Sequence, residues 1–306
     1  MNHRKILAVL IALVCITAVL TSCGGKTPEA GTSVTQQTTA QVQSTAAAEQ
    51  TTAQQVSETE TQSETETETT TQEKEDKIPE TKEEILAAYT EIMNRAKKDA
   101  PGFKEIMYQN LPDDANSRVI TSGKTFVNAA LNLAGNFMTD EASARKKPDT
   151  FAKGGDMHLW PVKYNKEGCL LTDAGALKDA KYEQLPDGNV RITIVLNSET
   201  NPEPTPDWTS KPQSKTGSVF APLSKKEIDE NLNGGIVSAV FSDVNYSLTY
   251  HDCSSAVTYD PETMRVISVD QVCHVTISGS GKTLGTTLAV EKQELVNYLK
   301  IYDVQY

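Results

Sequence analysis

His251, Cys253, Cys273 and His274 form the densest group of imidazole and thiol side chains in the sequence. A hairpin through 260–264 would bring 251–253 opposite 271–273, and three chemistries are then open. Cys253 and Cys273 could form a cross-strand disulfide, as an oxidising compartment outside the cytoplasm permits. His251, Cys253 and Cys273 could hold a metal ion, although they lack a close Cys-x-x-Cys pair and a clear fourth ligand. The two thiols could also simply be small buried apolar groups beside surface imidazoles. Cys169 has no partner in any of these arrangements.

Other chemistry is fragmentary. Ser143-Ala-Arg-Lys146 and Lys215-Thr216-Gly217 match two short motifs of penicillin-binding serine enzymes. The third, Ser-Asp-Asn, is missing between them, and Ser242-Asp243 follows Lys215 in the wrong order. Gly123-Lys124-Thr125 and Gly281-Lys282-Thr283 end like phosphate loops, but Arg118 and Thr276 stand where such a loop requires glycine. With no catalytic constellation to read, the expectation is a protein that is not an enzyme and needs no cofactor. A net charge of −12 argues against nucleic acid as a partner, because phosphate binding requires a basic face.

The elements that would carry such residues fall into three segments. His3-Arg4-Lys5 precedes an apolar run of 15 residues at 6–20. That is shorter than the roughly 20 residues that span a bilayer, so 1–22 reads as a signal peptide. Leu20-Thr21-Ser22-Cys23 resembles the lipobox of bacterial lipoproteins. The resemblance implies cleavage before Cys23 and acylation of its sulfur, which would anchor the chain in a membrane by its N-terminal lipid. Residues 26–77 contain no Leu, Ile, Met, Phe, Trp or Tyr and carry ten acidic residues against three lysines. Such a segment cannot bury a core, and 23–77 is expected to be a lipid anchor and disordered tether with a reach of roughly 40 Å. The expected location is the extracytoplasmic face of the cell membrane, on a Gram-positive-type surface that the tether would cross.

Residues 78–306 are expected to form one α+β domain. Thr81-Lys-Glu-Glu84 reads as a capping box ahead of an apolar stripe through Ile85, Leu86, Tyr89, Ile92, Met93 and Ala96. A second helix is expected over 124–138, and a short third one after Ser224-Lys-Lys-Glu227. From 157 onward the apolar period is two, with runs at 159–164, 178–185, 189–197, 236–250, 253–259, 265–278 and 284–292 and a last strand ending near Tyr306. Helices followed by hairpin-linked strands predict a mainly antiparallel sheet packed on the N-terminal helices. On the strand before the hairpin, apolar residues change from even positions (Leu248, Tyr250) to odd ones (Cys253, Val257, Tyr259). One extra residue near His251-Asp252, a β-bulge, reconciles the two parities. The register predicted from it pairs Tyr259 with Arg265, Val257 with Ile267, Tyr250 with Cys273 and Leu248 with Val275. That leaves Cys253 diagonal to Cys273.

The N-terminal helix, Trp160-Pro161-Val162, the Pro-rich loop over 198–216 and the hairpin Tyr259-Asp-Pro-Glu-Thr263 together resemble a set of uncharacterised lipoproteins of clostridia-type bacteria. The architecture this implies is similar to half-barrel carriers of lipids or lipoproteins, in which a curved sheet wraps around helices and leaves an apolar cavity. Two functions follow as expectations. One is a tethered binding module that holds a lipid or apolar small molecule between the sheet and the 124–138 helix, with Phe126, Leu131 and Phe137 facing the ligand. The other is a ligand-free surface interaction or structural domain, whose protein partner the sequence does not name.

Overall fold

The computed structural model describes residues 78–136, 138–157, 160, 168–205, 211, 213–233, 238 and 240–306. Helix α1 (Lys82–Asp99) begins at Thr81, whose hydroxyl accepts from the Glu84 amide while the Glu84 carboxylate accepts from the Thr81 amide. It stops where Ala100 turns left-handed ahead of Pro101, a residue that cannot sit in a helix interior. The six residues of its predicted stripe are all buried.

The strands are β1 (Gly102–Asn110), β2 (Arg118–Ser122), β3 (Asp149–Phe151), β4 (Leu177–Gln184), β5 (Val190–Leu196), β6 (Glu199–Thr200), β7 (Phe241–Asp260), β8 (Arg265–Thr283) and β9 (Thr286–Gln305). They make one open, antiparallel sheet in the order β3-β1-β9-β8-β7-β5-β4, with β2 also on β9 and β6 also on β7. Further helices include α2 (Lys124–Asn136), α3 (Glu141–Lys146) and α4 (Lys225–Leu232). The coarse α+β architecture is therefore as expected.

Two features differ from the pattern read in the sequence. β1 and β2 precede α2, so the helices do not all come first. β1 is buried on both sides, with Phe103 and Glu105 under one layer and Ile106 and Tyr108 under another, and this erases the alternation that would betray a strand. The expected short runs also merge. The 236–250 and 253–259 runs are one strand, β7, and the 284–292 run joins the last strand as β9. Strands of 20 residues reach about 65 Å. The 159–164 run lies outside the described residues except for Trp160.

The ladder between β7 and β8 shifts between His251 and Ser254, so Asp252 and Cys253 stand opposite Cys273 alone. This is the predicted bulge. The predicted register, however, is displaced by two residues: Val257 faces Val269, Tyr250 faces Val275 and Leu248 faces Ile277. The hairpin closes on Asp260 and Arg265, and a second irregularity beside Tyr259 leaves Ile267 unmatched. Each contributes one residue of displacement. A shift of two keeps every side chain on its face and brings Cys253 opposite Cys273.

The bulge has two counterparts. Asp243 and Val244 stand opposite Gly281, and Asp303 and Val304 stand opposite Phe103. Asp243, Asp252 and Asp303 all have positive φ, between 47° and 55°, a conformation that aspartate tolerates better than most residues. Each also meets a lysine: Lys282 at 2.8 Å, Lys178 at 2.6 Å and Lys104 at 2.7 Å, respectively.

α1 lies across β4, β5, β7 and β8. Between them Tyr89, Ile92, Met93, Ile192, Ile194, Val257 and Val269 are fully buried. Trp160 closes this layer, donating its indole N–H to the Met93 carbonyl at 3.1 Å and meeting Phe103 edge-on. The Tyr89 hydroxyl lies 2.7 Å from Ser255 Oγ, and Gln271 donates to Ser255 at 3.2 Å, so the buried polar groups satisfy one another. On the opposite face α3 packs Ala144 against Ile106, Tyr108, Tyr298 and Tyr302.

Candidate functional site

A cavity of about 160 Å³ lies between the sheet, α2 and α4. The core face of β8 explains where the room comes from. Along its odd positions it runs Val275, Ile277, Gly279, Gly281 and Thr283, so two successive positions of that face carry no side chain. At Gly279 a Cβ would come within 2.9 Å of the Asn245 carbonyl oxygen, so that residue also permits the close approach of β7. The cover is made of apolar side chains from two helices. α2 contributes Phe126, Val127, Ala130 and Leu131, and α4 contributes Ile228 and Leu232.

α4 is held in place by its ends and by one tyrosine. Ser224 Oγ accepts from the Glu227 amide and so caps the N-terminus of the helix. Tyr246, on β7, donates its hydroxyl to Asp229 Oδ1 at 2.7 Å, while Lys225 pairs with Asp229 from the preceding turn. Burial and the neighbouring Asp229 carboxylate both push the Tyr246 phenol up from its ordinary value, so it stays a proton donor. The cavity wall is apolar apart from a few groups that include Gln109, Asn245, Ser280 and Gln293. Such a space favours an alkyl or aryl group over water, which needs two to four polar partners.

Phe126 and Leu131 both line this cavity. Phe137 and Cys23 lie outside the described residues. Tyr246, Ile228, Gly279 and Gly281 were not anticipated. The loss of side chains along one face of β8 was the available signal, whereas α4 comes to the cavity from a distant part of the chain.

The imidazole and thiol group resolves differently. Cys253 and Cys273 form a disulfide inside the bulge, with Cα atoms 4.1 Å apart. Both sulfurs are thereby spent, so the metal triad of His251, Cys253 and Cys273 is not assembled, and the described residues hold no other metal-ligating group. Cys169 is free and buried beside Thr90, and burial raises its thiol pKa.

His251 and His274 alternate away from the disulfide onto the opposite face. There Glu294 Oε1 lies 3.0 Å from His251 Nε2 and 3.2 Å from His274 Nδ1. Asp252 meets His251 Nδ1 at 3.0 Å and Thr276 Oγ1 lies 3.1 Å from its Nε2, a hydroxyl–imidazole–carboxylate series. The Thr276 hydroxyl, however, donates to Glu294 Oε2 at 2.9 Å. Its proton is engaged by a carboxylate rather than offered to the imidazole, as an activated nucleophile would require. Lys178 and then His251 hold the Asp252 carboxyl down at about 2.

Comparison with protein-family models, with curated proteins and with solved structures finds no match for the chain. Among the described residues, no helix is long and apolar enough to cross a membrane.

Proposed function

We propose that the chain is a lipid-anchored module at the extracytoplasmic face of the cell membrane, and that its domain holds an apolar or amphiphilic ligand between the sheet and helices α2 and α4. The observation that carries this reading is the apolar cavity of about 160 Å³. An engineered cavity of nearly this size stays dry and takes up benzene. The anchor rests on Leu20-Thr21-Ser22-Cys23 and on the polar, acidic stretch that follows it. The half-barrel form is supported by the three bulges, since each one bends its strand and increases the local twist.

The test is native mass spectrometry of the full chain carrying Cys23→Ser, recovered from cells. A bound apolar molecule that is lost on Ala130→Leu supports the reading. A clean ligand-free mass, with no lipid in an organic extract, returns the domain to a ligand-free interaction or structural role. The same substitution tests the anchor, because it should abolish labelling by an alkyne fatty acid. Persistent labelling would remove Cys23 as the acylated residue.

A further inference from the structure

Arg118 stands at the edge of the cavity, on β2 opposite Gln293 of β9. Among the described residues its guanidinium hydrogen-bonds to neutral groups alone. Nε donates to Gln293 Oε1 at 2.6 Å, and Nη1 donates to Asn132 Oδ1 at 2.9 Å and Asn128 Oδ1 at 3.4 Å. Among the described residues Nη2 makes no hydrogen bond and the group forms no ion pair, while Asp113 acts on it only from a distance. Arg145 shows the contrast: it is matched by Glu141 one helical turn away.

Three amide oxygens fix the guanidinium plane without cancelling its charge. An arginine held in this way is preorganised for a carboxylate or phosphate, which it can grip through two parallel N–H groups. The contacts that hold it also tie it to the cavity. Gln293 is part of the wall, and Asn128 and Asn132 alternate along α2 with Val127 and Leu131, which line it. An apolar recess thus ends beside a positive charge, on a chain whose net charge is −12.

We propose that the cavity takes a short-chain anionic amphiphile, with its alkyl tail among the residues of α2 and β8 and its carboxylate or phosphate head on Arg118. This rests on the cavity reading above and adds the head-group chemistry to it. The volume suits a chain of roughly six to eight carbons, by comparison with a benzene-sized cavity.

Titration calorimetry on the full chain carrying Cys23→Ser, with octanoate, octyl phosphate and octanol, separates the two ideas. Octanol reports the cavity alone. At least one of the anions should bind about tenfold more tightly than octanol, the range expected for a charge-assisted contact. Whichever anion binds more tightly identifies the head group. The margin should shrink in 1 M salt, disappear in Arg118→Gln and survive in part in Arg118→Lys, while octanol binding stays the same throughout. Octanol binding with no anion margin in the unsubstituted domain overturns the inference and leaves the cavity reading standing. A loss of all three probes in Arg118→Gln, with the unsubstituted domain showing no salt effect, assigns Arg118 to structure and also overturns it. If none of the three binds the unsubstituted domain, the cavity reading falls and this inference falls with it.

Discussion

The half of the sheet under α1 and the half under α2 and α4 share strands β7 and β8, yet one is filled and the other is hollow. Under α1 the cover supplies Ile85, Leu86, Tyr89, Ile92 and Met93, and Trp160 seals the layer. Under α2 the buried cover is Val127, Ala130, Leu131 and Ala134, set against a strand face that includes Gly279 and Gly281. Side-chain volume on the covering helix and on the strand beneath it decides the outcome, since the backbone of the long strands is common to both. The filled half carries the disulfide and the buried Tyr89–Ser255 contact, so rigidity and space are assigned to different parts of the same two strands.

The largest expected effect that could break this contrast comes from truncating each half in turn. Ile92→Ala should cost about 2–5 kcal/mol, because the dense layer around it relaxes only partly. Phe126→Ala should cost at most about 2 kcal/mol, since part of its surroundings is already empty. Urea denaturation of the two variants measures both, and equal costs would mean that the second half is not hollow in solution.

Filling rather than emptying sharpens the contrast by its sign. Ala96→Leu forces volume into the packed layer and should destabilise by about 1–3 kcal/mol. Ala130→Leu adds the same atoms to the cavity and should be neutral or stabilising by about 0.5–2 kcal/mol. It should also exclude octanol. Thermal unfolding of the two variants decides this, and destabilisation by both would contradict the contrast.

The smallest effect concerns acid. The Asp252 carboxyl beside the disulfide is depressed from its ordinary 3.8 to about 2, chiefly by Lys178 and then by His251. A depressed carboxyl contributes stability that is complete above about pH 4 and is lost as pH falls through 2. Because Asp252 and Lys178 are exposed, the contribution is small. Asp252→Asn keeps a side chain that accepts positive φ, so the bulge should persist. Part of the fall in melting temperature between pH 4 and pH 2 should disappear, and an unchanged acid limb would show that the pair contributes nothing there.

Local signals were legible in the sequence, and distant ones were not. Thr81 and Glu84 announced α1, because a capping box involves only neighbours. The change of parity between Tyr250 and Cys253 announced a bulge, because side-chain alternation leaves no other outcome for a continuous strand. The register around it is displaced because the hairpin closes on Asp260 and Arg265 and because Ile267 is left out beside Tyr259, and nothing local in the chain marks either. β1 was missed because both of its faces are covered, one by α3, whose place depends on the whole sheet. At the site, Phe126 and Leu131 could be read from the stripe of α2. The glycines of β8, the α4 wall and the Arg118–Gln293 contact become visible only when segments from four parts of the chain meet.

The order of the strands has a consequence for how the molecule is made. β9 lies between β1 and β8, so a strand made long after β1 occupies the interior of the sheet beside it. Gly102 pairs with Gln305, and until that partner exists β1 has only the three residues of β3 beside it. Closing so long a loop is slow, and meanwhile two open strand edges face any other chain nearby. A nascent copy therefore passes through a stage in which β1 is open to the β9 of another copy before its own β9 is available. Dilution or a chaperone at that stage would govern the yield of folded protein more than the final stability does.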